Sequence, residues 1–264
     1  MIIKKKAKKT PAVVVDSSKC IGCGLCVKDC VGSCLEIADG KAVFQETRCI
    51  GCGHCYAICP QKAIDMPGLD TEGCDDYVPM TDFDSDKLLT AMKSRRTIRQ
   101  FQDRPVEQEK IDKIIEAGRF CQTAANHQNI AYTILGSKQD EFEAECVKVF
   151  RTAVQAGGKF VKAYDGFEIP DDFFFKGAPL VIVVSGSNSN KGLATSYMEL
   201  MADSLGLGVL ISGFAETVIA MNPKVKRMLD LPKKHKVLSV MVIGYPAVEY
   251  QRIAPRKQAN VRVL

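Results

Sequence analysis

Two runs hold most of the chemistry this chain could do: CIGCGLCVKDC at 20–30 and CIGCGHCYAIC at 49–59. Each spaces its cysteines as C-x2-C-x2-C-x3-C, and corresponding cysteines lie 29 positions apart. The flanks repeat too, since AVVVDSSKC and KAVFQETRC each place a β-branched or aromatic run before the first cysteine. The pattern reads as an internal duplication of a short strand, a ligand loop and a helical turn. Three closely spaced thiolates in one loop can wrap three corners of an iron-sulfur cubane, and the fourth, one helical turn on, points at the neighbouring cluster. Zinc is the alternative, but zinc sites use four ligands in two separated pairs, which eight cysteines in this phase fit poorly. Cys34 lies four residues beyond Cys30 and could replace it as a ligand; its repeat partner is Ala63, which argues for an ordinary buried position. Cys74, Cys121 and Cys146 stand alone and read as small core residues.

A second candidate is RRTIRQF, where Arg95, Arg96 and Arg99 surround the hydroxyl of Thr97. Guanidinium forks and a hydroxyl make a phosphate cradle, although arginines at a helix C-terminus also serve the helix dipole. LGLGVLISG is glycine-rich, but it follows a helix and lacks G-x-G-x-x-G, which disfavours a dinucleotide-binding fold. Phe173, Phe174 and Phe175 read as core or subunit contact more than as pocket lining. The basic run Lys4 to Lys9 reads as a solubilising tail, or else as a docking patch for an acidic electron carrier. It has no interleaved aromatics for base stacking.

These groups need elements to hold them. A length of 264 residues predicts about two domains, and 46% hydrophobic with 25% charged residues is ordinary globular composition. Twelve cysteines behind a lysine-rich start with no apolar leader point to a reducing cytoplasm, where clustered cysteines are metal ligands. The apolar uncharged stretches 177–190 and 237–248 fall short of the roughly 18 apolar residues of a membrane span. The net charge of +5 invites a nucleic-acid reading until it is divided: +5 over residues 1–64, −8 over 65–86 and +8 over 87–264. The all-acidic stretch also contains Pro67-Gly68, Gly73 and Pro79, the composition of a connector. The expected organisation is a cysteine-rich domain at 1–66, an acidic linker at 67–86 and a larger domain at 87–264, with neither nucleic acid nor membrane as partner. In the larger domain the periodicity predicts helices from 85, over 105–120, 139–155, 193–205 and 215–229, and strands Leu180 to Val184 and Val237 to Ile243.

The cysteine runs resemble those of bacterial-type two-cluster ferredoxins over about residues 12–66. The resemblance implies that Cys20, Cys23, Cys26 and Cys59 hold one 4Fe-4S cluster and Cys49, Cys52, Cys55 and Cys30 the other. One departure is Val31 after Cys30, where the family has proline, as at Cys59-Pro60. Further on, RRTIRQFQDRPVEQEKIDKIIEAGRFCQTAANHQ, LGLGVLISGF and VIGYP…IAPRK resemble, in order and spacing, the FMN-dependent nitroreductase family over about residues 88–258. The implied fold is α+β, an FMN-binding α/β sandwich behind a small ferredoxin-like domain. By motif, Arg95 and Thr97, with Arg96 between them, fall on the phosphate side of FMN, and Arg99 falls beside the pyrimidine edge. Thr123, Ala124 and Asn126 match the flavin-contacting loop, and Ser212 and Gly213 match the turn whose backbone N–H groups face flavin N5 and O4. Arg256 and Lys257 match a basic pair returning to the phosphate. Asn129-Ile130 replaces the family's Pro-Trp and Gln122 stands where proline is common, both beside the substrate pocket. The resemblance also implies a homodimer, with Tyr250 to Leu264 laid on the partner.

A cluster passes one electron at a time and a flavin holds two. The expected function is therefore a reductase that takes electrons from a low-potential donor such as ferredoxin. They would pass through two 4Fe-4S clusters to FMN and on to a small conjugated acceptor: a nitro compound, quinone or activated alkene. No side chain stands out as an obligatory acid or base. Two other readings stay open: NAD(P)H reduces the flavin and the clusters carry electrons out, or the chain is a redox sensor or electron store.

Overall fold

The structure, a computed structural model, describes residues 12–46, 48–71, 74–157, 159–164, 166–187 and 192–264, so the basic run at 4–9 lies outside it. The chain divides into two units, Met1–Phe83 with Ala125–His127, and Asp84–Ala124 with Gln128–Leu264. The acidic stretch at 67–86 straddles the division. Asp84 opens the second unit as a helix cap, its Oδ1 accepting from Asp86 N (3.0 Å) and Lys87 N (2.9 Å).

In the first unit the sequence duplication is visible in three dimensions. β1 (Val14–Val15), α1 (Leu25–Lys28) and β2 (Leu35–Ala38) form one half; β3 (Lys41–Phe44), α2 (His54–Ile58) and β4 (Ile64–Asp65) form the other. The strands pair across the halves, β1 antiparallel to β4 and β2 antiparallel to β3. The β2–β3 hairpin turns on Asp39-Gly40, both at positive φ, as two-residue hairpins prefer. Gly22 has φ +67, and a Cβ there would run into the carbonyl of Gly40, so the first ligand loop admits only glycine at that point. Val13, Leu35, Ala42, Ile64 and Met66 form a core that also includes Cys26. Such a core is small for a stable fold, and units of this size commonly depend on cross-links or metals.

The second unit contains α3 (Ser85–Ser94), α4 (Gln108–Arg119), β5 (Ile130–Ile134), α5 (Gln139–Gln155), β6 (Leu180–Gly186), α6 (Leu193–Ser204), β7 (Gly208–Ile211), α7 (Gly213–Met221), α8 (Pro223–Met228) and β8 (Lys236–Gly244). Its sheet has the order β5-β6-β8-β7, and every pair is antiparallel. Side chains of successive strand residues point to opposite faces. Val181, Val183, Val240 and Val242 therefore pack with Phe142, Phe150, Val218 and Val225 from α5, α7 and α8. Leu180, Ile182, Val184, Met241 and Ile243 pack with Ile111 and Ile114 of α4 and Met198 and Ala202 of α6. The result is a helix-sheet-helix sandwich, which explains why β6 and β8 read as nearly unbroken apolar runs. The helix expected over 215–229 is two helices. Pro223 takes the first position of α8, and Asn222 caps it by accepting from Lys224 N (2.9 Å) and Val225 N (3.2 Å). Among the described residues no helix is long and apolar enough to cross a membrane.

Candidate functional site

The eight motif cysteines of the first unit surround two cavities. Cys20, Cys23, Cys26 and Cys59 line one with Val15, Ile37 and Ile64; Cys30, Cys49, Cys52 and Cys55 line the other with Leu35, Phe44 and Met66. Each set draws three sulfurs from one loop and the fourth from the other repeat. Backbone N–H groups point at these sulfurs, Ala42 N to Cys20 Sγ (3.3 Å) and Ala63 N to Cys59 Sγ (3.3 Å) at the first cavity. At the second they come from Gly51 N to Cys49 Sγ (3.4 Å) and Cys34 N to Cys30 Sγ (3.2 Å). Such donors stabilise the negative charge of a thiolate-bound cluster. The N–H groups of Ala42 and Gly22 hold the Cys20 thiol below its ordinary pKa, whereas burial pushes Cys55 up to about 11. A void ringed by four thiols is what a cubane requires. Cys34 is buried beside the second cavity with its Sγ against Gly32 O (3.4 Å).

In the second unit, residues 97–101 run beside the sheet. Thr97 bridges Val209 in parallel, Ile98 N donates to Val209 O (3.0 Å), and Phe101 bridges Pro246. Gly208 makes this approach possible, because Ile98 lies over it and a Cβ at 208 would come within 2.7 Å of Ile98 Cβ. The segment delivers Arg99 to a cleft of about 570 Å³, where it meets Ile211, Ser212, Gly213 and Thr217. Tyr164, Phe173, Phe174 and Lys176 line the rest. Ser212 N donates to Val240 O (2.9 Å). Among the described residues that leaves the N–H of Gly213, first residue of α7, as the unbonded donor of the pair, at a helix end suited to an electron-rich ligand atom.

The other expected residues are placed differently. Arg95 and Arg96 line a second cleft of about 420 Å³ with Asp203 and Tyr250. Arg95 Nη1 donates to Glu199 Oε1 (2.5 Å), which balances its charge, while Arg96 lies 5.6 Å from the Tyr250 ring centre. Among the described residues Asp203 Oδ2 is buried without a hydrogen-bond partner, and burial followed by the charge of Glu199 raises its pKa to about 6. Thr97 lines neither cleft. Thr123 Oγ1 accepts from Gln128 N (3.0 Å), and Ala124 opens a short 3-10 turn. Asn126 groups with the first unit, where its Nδ2 donates to Gly51 O (2.6 Å). Arg256 and Lys257 are exposed, outside both linings. Gln122 exchanges hydrogen bonds with Tyr197 at the position where proline is common.

The aromatic run serves two purposes. Phe175 is wholly core, while Phe173 and Phe174 also face the cleft. Lys176 was not anticipated; its only signal was a Lys-Gly turn after that run, and both residues have positive φ. Glu143, buried on α5, clamps this wall from behind, its Oε1 accepting from Phe174 N (2.9 Å) and Phe175 N (2.7 Å). Burial raises its pKa to about 7, against the opposing pull of those two N–H groups. A carboxyl raised on folding stabilises the fold most below its unfolded pKa, and that contribution is lost as pH rises through the folded value. The second unit is expected to lose up to ~1.4 kcal/mol per pH unit between about pH 4.5 and 7 through this group. Thermal melts of wild type and Glu143→Gln across that window should therefore converge at the acid end. Parallel curves would remove Glu143 as the cause.

Comparison with known proteins adds independent findings. A profile of the Nitroreductase family matches residues 92–245, and one of a 4Fe-4S dicluster domain matches residues 12–60. A Staphylococcus haemolyticus protein named NADPH-dependent oxidoreductase is 27% identical over 176 residues, covering 62% of this chain and 66% of its own. A Bacillus subtilis FMN reductase (NAD(P)H) is 26% identical over 169 residues, covering 61% and 66%. The chain thus spans slightly less than two thirds of either relative. Among solved structures, an FMN-bound nitroreductase of Bacteroides fragilis superposes with a TM-score of 0.57 at 20% identity, over 67% of this chain and 98% of that one. One from Desulfitobacterium hafniense gives 0.54 at 20% identity, over 66% and 97%. At that identity the likeness speaks to the fold.

Proposed function

The chain belongs to the nitroreductase family, and from that premise we propose that it is an FMN- and iron-sulfur-dependent oxidoreductase. It takes single electrons from a low-potential donor, a ferredoxin-type protein, and reduces a small conjugated acceptor such as a nitro compound, quinone or activated alkene. The observation that carries this reading is the presence in one chain of two four-cysteine cavities and a cleft built on Arg99, Ser212 and Gly213. Cys20, Cys23, Cys26 and Cys59 would hold one 4Fe-4S cluster, and Cys30, Cys49, Cys52 and Cys55 a second. When bound, the clusters supply single-electron transfer and FMN supplies a two-electron store deliverable as a hydride equivalent.

The chain's own part is positioning and electrostatics. Arg99 sets a fixed positive charge at the cleft, where negative charge gathers on reduction. The Gly213 N–H offers a hydrogen bond to a ring heteroatom, and Arg96 remains the cation of the second cleft for a phosphate. Phe173 and Tyr164 give an apolar wall on which a planar acceptor can lie with water displaced. Each acceptor takes up two electrons and two protons, so two donor molecules are each oxidised by one electron. The reading includes a cytoplasmic homodimer.

Anaerobic stopped flow on dithionite-reduced holoprotein tests it. Adding an acceptor such as menadione should return the bleached cluster and flavin absorbance together, two electrons per acceptor consumed. If cluster absorbance stays bleached while acceptor disappears, the clusters do not feed the reaction. A second reading has one specific support, the relatives named as NADPH- or NAD(P)H-dependent enzymes. In that case NADPH alone bleaches the flavin within seconds and the clusters serve as the exit.

A further inference from the structure

We propose that the 570 Å³ cleft selects acceptors that are anions, conjugated compounds bearing a carboxylate, and that Lys176 recognises that group. The inference rests on the reading of this cleft as the place of reduction.

The charges of the lining are the first observation. Arg99 and Lys176 are its charged residues, both are cations, and among the described residues neither stands within ion-pair distance of a carboxylate. Arg95, in the second cleft, is by contrast paired with Glu199. A cleft with two unpaired cations and no acid has an electrostatic preference for a negative ligand.

The second observation is how Lys176 is held. Its φ is +56, a left-handed conformation that a long side chain rarely adopts. The surroundings fix it there. Lys176 N donates to Asp172 O (2.8 Å), Gly177 follows at φ +67, and the two preceding N–H groups are bound by Glu143. Its ammonium lies 4.9 Å from the Phe173 ring centre, so cation and aromatic face form one surface. Glu143 is the acidic group whose charge interacts with it, and Oε1 of Glu143 is committed to the backbone.

The third observation divides the labour. Arg99 sits with Ser212 and Gly213 at the β7–α7 end, on the residues expected to meet the flavin. Lys176 sits on the aromatic wall. A planar acceptor resting on Phe173 brings a ring carboxylate to the Lys176 ammonium, where a charge-assisted hydrogen bond forms.

The test uses full-length holoprotein and two isosteric probes, para-nitrobenzoate and para-nitrobenzamide, with binding to the oxidised protein measured by calorimetry. Wild type is expected to bind the carboxylate about tenfold more tightly than the amide. Lys176→Met should bring that ratio close to one, and Lys176→Arg should retain it. In turnover the same ratio should appear in KM. A wild-type ratio near one overturns the proposal without any variant, and so does a Lys176→Met protein that weakens both probes equally, the mark of a merely structural lysine. If the binding ratio behaves as expected but neither probe is reduced by dithionite-reduced protein, anion recognition stands and the reductase reading fails. If both are reduced with a flat ratio, the reverse holds.

Discussion

Gly208→Ala is expected to yield a protein that keeps its iron but retains less than about a tenth of its flavin. Gly208 is buried in β7 opposite Gly244, and the chain segment at 97–99 crosses directly above it. A methyl there would meet Ile98 Cβ at 2.7 Å and Cγ2 at 3.0 Å. Cβ does not move when χ1 rotates, so no rotamer of Ile98 clears that contact. Overpacking of this kind costs ~1–3 kcal/mol, and the cheapest relief is to lift residues 97–99 away from β7. That breaks the Thr97–Val209 bridge and withdraws Arg99 from Ser212 and Gly213. The first unit contains none of these residues, so the iron-to-protein ratio should not change. Flavin and iron are measured on the same anaerobically purified sample. Shortening the opposing side chain, as in Ile98→Ala combined with Gly208→Ala, should recover part of the flavin, because the two positions share one contact. Normal flavin content in Gly208→Ala would show that this crossing does not position the site.

The same crossing illustrates what a sequence can and cannot disclose. The cysteine frame was legible because its information is local: ligand loops, repeat period and flanking strands all lie within a few residues of one another. β6 and β8 were legible because they are central strands, buried on both faces, and their composition is continuously apolar. β5 and β7 are the edge strands of the same sheet, partly exposed, and they lack both the continuous run and the clean alternation that mark a strand. β7 was further disguised by Gly208, which serves the close approach of Ile98 rather than a phosphate-binding turn. Arg95 shows a different limit. Its type and spacing suit a phosphate, but its partner Glu199 lies 104 residues away, and only the packing of α6 brings them together. Asn126 and Lys176 follow the same rule, since a turn residue's partner is set by the fold around it. The break between α7 and α8, by contrast, was written locally in Asn222-Pro223 as a cap followed by a first-turn proline.

The cysteine frame makes the other large prediction, and it turns on which double substitution is worse. If each cluster takes its fourth ligand from the other repeat, Cys20→Ser with Cys59→Ser removes two ligands from one cavity and spares the other. Iron should fall to about half, and the magnetic interaction between two reduced clusters should vanish from the paramagnetic resonance spectrum. Cys20→Ser with Cys30→Ser takes one ligand from each cavity, so both clusters are weakened and iron should fall well below half. If each run instead held its own cluster, the order would invert, because Cys20 and Cys30 would then share a site. Cys34 enters the same comparison. Its N–H already points at Cys30 Sγ and its thiol lines that cavity, so a ligand role would let Cys20→Ser with Cys30→Ser retain iron near half until Cys34→Ser is added. Its repeat counterpart Ala63 donates to Cys59 in the same way but has no sulfur to offer, so no comparable reserve exists at the first cavity. Because the apolar core of this unit is small, loss of a cluster should also lower its melting temperature. That loss should follow the iron content of each variant rather than the number of serines introduced.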